Sequence, residues 1–269
     1  MNVMFLLYIA QMTIFTKYIY KKHLMRFLRD IIDLQERKIF PQDCLKYPFR
    51  RILLVCAIAY TIFSTLLIYI TKGDFKGILM IIVTTTNIYI VILISTLAHL
   101  IRIMYRDVGN LIMNGNNNIR DVKKITGIIF NITKKFNFLF GRQIFALLGL
   151  SFFDILTLYE EFFILSFDLS LIPRFVHVSL FMTCSVNIIF ACHWATEEGR
   201  NLIKTCQEVE LRCSFSSRRI ELSLLSTHLY YEDPVFTAAG FFRINKGTTM
   251  LLISSTVNYF IVLVQLNST

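Results

Sequence analysis

Charge is scarce in this chain. Of its 269 residues only 17% are charged while 55% are hydrophobic, and a mean hydropathy of +0.58 lies well above that of a soluble domain. No Lys or Arg occurs in any of six apolar stretches, at about 1–16, 52–71, 77–101, 144–168, 175–195 and 248–266. All but the short first one approach or exceed the length needed to cross about 30 Å of hydrocarbon as a helix. The expected fold class is therefore all-α, a polytopic membrane protein with six transmembrane helices. Stretches 52–71 and 248–266 carry no charged side chain, 77–101 carries only His99, and 144–168 holds Asp154, Glu160 and Glu161 and ends on Asp168.

Other absences narrow the function. There is no C-x-x-C pair, and none of the six cysteines falls in an expected outer loop, which excludes a disulfide or zinc framework. Cys206 and Cys213 lie seven apart, on one face of a helix, a spacing that reads as packing. No H-E-x-x-H, G-x-S-x-G or P-loop pattern is present, so no cofactor is expected and an enzyme is not indicated. Internal repeats and low-complexity tracts are missing too. The apolar run at the start, "MNVMFLLYIAQMTIFT", has no basic residue before it, the reverse of a secretory signal. It reads as a span that begins abruptly or as the remainder of a longer N-terminus.

The charge that is present is placed as membrane topology requires. The formal net charge is +10, yet 25 of the 28 Lys and Arg lie in three alternate loops, 17–51, 102–143 and 196–247. The positive-inside rule makes those loops cytoplasmic. Residues 1–16 then enter from outside, and the end after Leu266 is outside, so no nucleic-acid partner is expected. The long loops carry helical patterns. In "KYIYKKHLMRFLRDIIDLQERKI" apolar residues recur with amphipathic spacing, "MNGNNNIR" at 113–120 is a break, and "SSRRIELSLLSTHLYY" at 216–231 has a Ser cap signal and stops before Pro234. These pieces are expected to pack as a cytoplasmic helical base. His99, His177 and His193 with Asp154, Glu160 and Glu161 lie within the spans, and such groups point to a ligand or ion path or to a satisfied polar contact.

The closing stretch "SSTVNYFIVLVQLNST" is the most informative. Steps of four, three and four from Ser254 reach Asn258, Ile261 and Gln265, one face of a helix. Polar glue between helices and a water-lined pore both fit that face. Tyr259 points about 100° away from Asn258.

Residues 233–266, "DPVFTAAGFFRINKGTTMLLISSTVNYFIVLVQL", resemble the C-terminal signature of the insect gustatory receptors. The motif runs through Thr237, Ala238, Ala239, Gly240, Phe241 and Phe242 to Asn245, then Asn258-Tyr259, five apolar residues and Gln265-Leu266. "ACHWATEEGRNL" around Cys192 is similar to the family's sixth span and its inward extension. Asn258 stands where the family has Thr, and Leu266 where it has Phe. The resemblance implies a single receptor-channel domain over 1–269, with the six spans matching the second to seventh of a seven-span fold, so that the first span is expected to be missing. It implies a plasma-membrane, ligand-gated, non-selective cation channel, a homo- or heterotetramer that takes a small-molecule tastant. Gln265 and Leu266 would form the narrow gate, with Ser254, Asn258 and Ile261 lining the path. Glu160, Glu161 and His177, in the outer half of the spans, are candidates for the ligand pocket. An odorant-receptor-like channel, a membrane-embedded enzyme and a G-protein-coupled receptor are the rival readings.

Overall fold

The computed structural model describes residues 20–36, 75–114, 118–165, 172–214 and 216–267. The expected spans 1–16 and 52–71 lie outside them. Among the described residues the chain is almost entirely helical: α1 (Tyr20–Glu36), α2 (Phe75–Met113), α3 (Ile119–Leu165), α4 (Ile172–Arg212), α5 (Ser216–Tyr231) and α6 (Lys246–Asn267). Two short strands, β1 (Thr237–Ala238) and β2 (Phe242–Arg243), stand between the last two helices. Among the described residues, three helices hold segments long and apolar enough to cross a membrane, at Thr86–Met113, Ile119–Tyr159 and Phe175–Arg212.

α2, α3 and α4 each run unbroken from an expected span into an expected cytoplasmic loop. Their apolar spacing explains why. On α4, Phe181, Ser185, Ile188, Cys192, Ala195, Gly199, Leu202 and Cys206 alternate steps of four and three, and all are buried. That row continues one helix face past the end of the apolar stretch at 195. Its small members let α2 approach closely. On α2 the facing row is Ile101, Tyr105, Val108 and Ile112, each 5% exposed or less. α3 begins where the Asn-rich break ends, with Asn118 capping it: its carbonyl accepts from the Asp121 N–H at 3.0 Å and its side chain from the Arg120 N–H at 3.1 Å.

One apolar core runs through this bundle. Phe27 and Ile31 of α1, Phe136 and Phe140 of α3, and Leu222, Leu225 and Leu229 of α5 all belong to it. Polar contacts fix the register between helices. Asn187 of α4 donates to Ser95 of α2 at 3.0 Å, Ser151 and Ser185 share a hydrogen bond between α3 and α4, and Arg102 of α2 faces Glu198 of α4 at 3.6 Å. Lys135 of α3 pairs with Asp30 of α1.

Candidate functional site

The site is built around the start of α6. Thr237↔Arg243 and Ala238↔Phe242 pair as an antiparallel hairpin with a three-residue loop. The Phe241 N–H donates to Ala238 at 3.0 Å, and the Ile244 N–H to Phe236 at 2.8 Å. Ala239 and Gly240 both take positive φ, 55° and 80°. That left-handed pair costs glycine little and alanine more, which accounts for Gly at one of the two positions. The small residues of the Ala-Ala-Gly segment thus make the turn itself, and the hairpin they close is a strand pair that sequence periodicity does not register.

The hairpin is clasped from both sides. On α3, the Asn137 amide donates to the Val235 carbonyl at 2.7 Å and accepts from the Thr237 N–H at 3.1 Å. One turn further on, Gly141 lies directly under the loop: a Cβ there would sit 2.9 Å from both the Ala239 nitrogen and the Thr237 oxygen. Phe136 meets Phe236 edge-on at 5.0 Å, and Phe145 stacks on Phe241 at 5.0 Å. On α4, a Cβ at Gly199 would collide with the Pro234 ring, and Arg200 faces Asp233 at 3.8 Å. Asn245 then opens α6 with a reciprocal cap. Its side chain accepts from the Thr248 N–H and its own N–H donates to Thr248 Oγ1, both at 3.2 Å.

From this anchor α6 extends 22 residues, about 33 Å. It leans on its own bundle by one row, Thr248, Leu252, Thr256 and Phe260. Thr248 and Thr256 are 6% exposed, Leu252 packs against the core, and Phe260 meets Tyr159 of α3 at 4.9 Å. Ser254, Asn258, Ile261 and Gln265 are all exposed, and at 100° per residue they project from the side of α6 diametrically opposite that row. Tyr259 is 43% exposed; the side chain of Leu266 lies outside the described residues.

Of the expected pocket residues, the described side chains include His177. His177 of α4 is 6% exposed, its Nε2 3.9 Å from Asp154 Oδ2 on α3, with Phe181 against its ring at 5.0 Å. The Glu160 and Glu161 side chains lie outside the described residues. Among the described residues no three His, Cys, Asp or Glu converge as a metal site, so His99 and His193 do not join His177 and Asp154 in one.

A bundle of membrane-length helices that presents a polar-striped closing helix on a clasped hairpin defines a multi-pass membrane protein. The chain belongs to the 7tm Chemosensory receptor family, whose model matches residues 1–268. Its fold is similar to that of the insect olfactory receptor OR5 from Machilis hrabei. The complex of that receptor with eugenol superposes at a TM-score of 0.62 and 12% identity, over 94% of this chain and 69% of that one. A second structure of the receptor gives 0.59 and 12%, over 98% and 76%. At that identity the likeness is one of fold. No curated protein sequence matches the chain.

Proposed function

We propose that this chemosensory receptor is a gustatory receptor acting as a ligand-gated, non-selective cation channel in the plasma membrane. It works as a homo- or heterotetramer whose pore is lined by α6. The observation that carries the reading is the position of Ser254, Asn258, Ile261 and Gln265, exposed on the face of α6 opposite the row that packs on its own subunit. Exposed polar side chains such as Ser254 and Asn258 on that face suit sister subunits or a water-filled path, and copies around an axis supply both. Gln265 and Leu266, near the outer end, form the gate: an apolar ring shuts by dewetting, and polar groups beside it pass ions when it widens.

The motif Thr237–Phe242 supports the gustatory side, and the fold likeness to an olfactory receptor supports an odorant-receptor-like channel as the second reading. The complex of the Machilis hrabei receptor with eugenol supports a small organic ligand for this chain. We place that ligand in the outer half of the bundle near His177, Glu160 and Glu161. The cytoplasmic base is formed by 17–51, 102–143 and 196–247, with the C-terminus outside. In cells that express the receptor, at least one compound of a panel of sugars, bitter alkaloids and plant volatiles should evoke a cation current. Gln265→Ala and Leu266→Ala should alter its selectivity or resting leak. Unchanged conduction in both variants at equal surface expression would remove the gate from this position.

A further inference from the structure

We propose that the cleft between α4 and the first turn of α6 binds a phosphate-bearing anion, supplied by an anionic lipid headgroup or by a soluble phosphate. The cleft encloses about 340 Å³ and is lined by His193, Thr196 and Arg200 of α4, Arg243 of β2, and Asn245 and Lys246 at the head of α6. That volume suits a phosphorylated headgroup. Three cations reach the cleft from three separate elements, and among the described residues no carboxylate lines it.

The neighbouring acids orient two of these cations without neutralising the set. Asp233 faces Arg243 at 3.4 Å and Arg200 at 3.8 Å, and Glu197 faces Arg200 at 3.3 Å. Lys246 pairs with no carboxylate among the described residues. Arg243 meets Asp233 through Nη1 alone and keeps N–H groups for a phosphate, whose oxygens a planar fork matches in pairs, whereas Arg200 is engaged at both Nε and Nη1 and contributes chiefly its charge. The imidazole of His193 adds an N–H able to donate to the same oxygens, while the Thr196 hydroxyl already donates to the Cys192 carbonyl at 3.0 Å.

Depth decides where such an anion comes from. On the orientation proposed above, 196–247 is cytoplasmic and the apolar run of α6 begins at 248, so the cleft lies at headgroup level of the inner leaflet. Basic pockets between helices on that side take phosphoinositide-type headgroups. An anion held there ties α4 to the head of α6 across the hairpin, so its occupancy would bias the element that positions α6.

The test titrates the purified receptor, in neutral detergent and phosphate-free buffer, by thermophoresis. The probes are dioctanoyl phosphatidylinositol bisphosphate, inositol trisphosphate and inorganic phosphate, with dioctanoyl phosphatidylcholine as control. Saturable binding of at least one phosphate probe is expected, weakened about tenfold by Lys246→Gln and by Arg243→Gln, the change for one charge-assisted hydrogen bond. Arg120→Gln, at an exposed pair with Glu221 3.8 Å apart, should leave it unchanged. If Arg243→Gln unfolds through the loss of Asp233's partner, the exposed Lys246→Gln still decides. A lipid probe that binds more tightly than inositol trisphosphate assigns the membrane as source, and equal binding assigns a soluble phosphate. Binding lost equally in Arg120→Gln, matched by phosphatidylcholine, or absent for every phosphate would overturn the site. Because the assay reads binding alone, a receptor that conducts nothing does not affect it.

Discussion

Replacing Gly141 with alanine should loosen the start of α6 while leaving α3 itself a better helix. The added Cβ would lie 2.9 Å from two backbone atoms of the hairpin, the Ala239 nitrogen and the Thr237 oxygen. Neither can swing aside as a side chain would. Ordinary contact begins near 3.4 Å, so the hairpin must retreat by about 0.5 Å. That shift would stretch the 3.1 Å bond from the Thr237 N–H to Asn137 to about 3.6 Å, where it ceases to be a hydrogen bond. Overpacking of this kind costs about 1–3 kcal/mol, and the lost bond about 1 kcal/mol more. Against this, Gly→Ala within a helix gains up to about 1 kcal/mol. Gly127, on the same helix, supplies the control, because a Cβ there meets nothing within 4 Å. The propensity gain is common to both, so the two variants should differ by about 2–4 kcal/mol. At about 2–4 °C per kcal/mol, Gly141→Ala should melt on the order of 5–10 °C below Gly127→Ala, read as loss of the monodisperse peak after heating detergent extracts. Melting at or above Gly127→Ala would show that the hairpin is not seated on α3 as described.

The other predictions follow from separate contacts. Asn245→Ala removes the reciprocal cap with Thr248 and should lower stability by about 1 kcal/mol; an unchanged melting temperature would mean that α6 holds its start without the cap. His177→Ala, and Gln at Glu160 or Glu161, should shift the half-maximal ligand concentration more than the maximal current, and three unshifted dose–response curves would assign them a structural role. Asn131, on the cytoplasmic side of the proposed orientation, should carry no glycan although Asn131-Ile132-Thr133 fits the acceptor pattern; a mass shift removed by glycosidase and abolished by Asn131→Gln would invert the topology.

The helices were legible because hydropathy and a 3.6-residue period act locally. The break at 113–120, the cap at Ser216 and the stop before Pro234 each coincide with an observed helix end. The hairpin was not legible. Two-residue strands are too short for alternation to show, and their cause is distant in sequence, the amide of Asn137 and the bare backbone of Gly141. The row Ser254, Asn258, Ile261 and Gln265 could be drawn from spacing, but which side of α6 meets its own bundle could not. That depends on Thr256, buried by its neighbours although polar, and on Phe260 finding Tyr159. The approach of His177 to Asp154 likewise depends on the register between α3 and α4, set in part by the contact of Ser151 with Ser185.

The proposal that α6 lines an ion path is tested most directly by cysteine substitution at positions 254, 256, 258 and 265, with current recorded before and after a charged, membrane-impermeant thiol reagent. The unsubstituted chain controls for native thiols. Modification at 254, 258 and 265 should change the current, and modification at 256, on the row that packs against the subunit's own bundle, should leave it as it was. A current insensitive at 254, 258 and 265 while labelling is confirmed there, or sensitive only at 256, would contradict the assignment of the pore to this face.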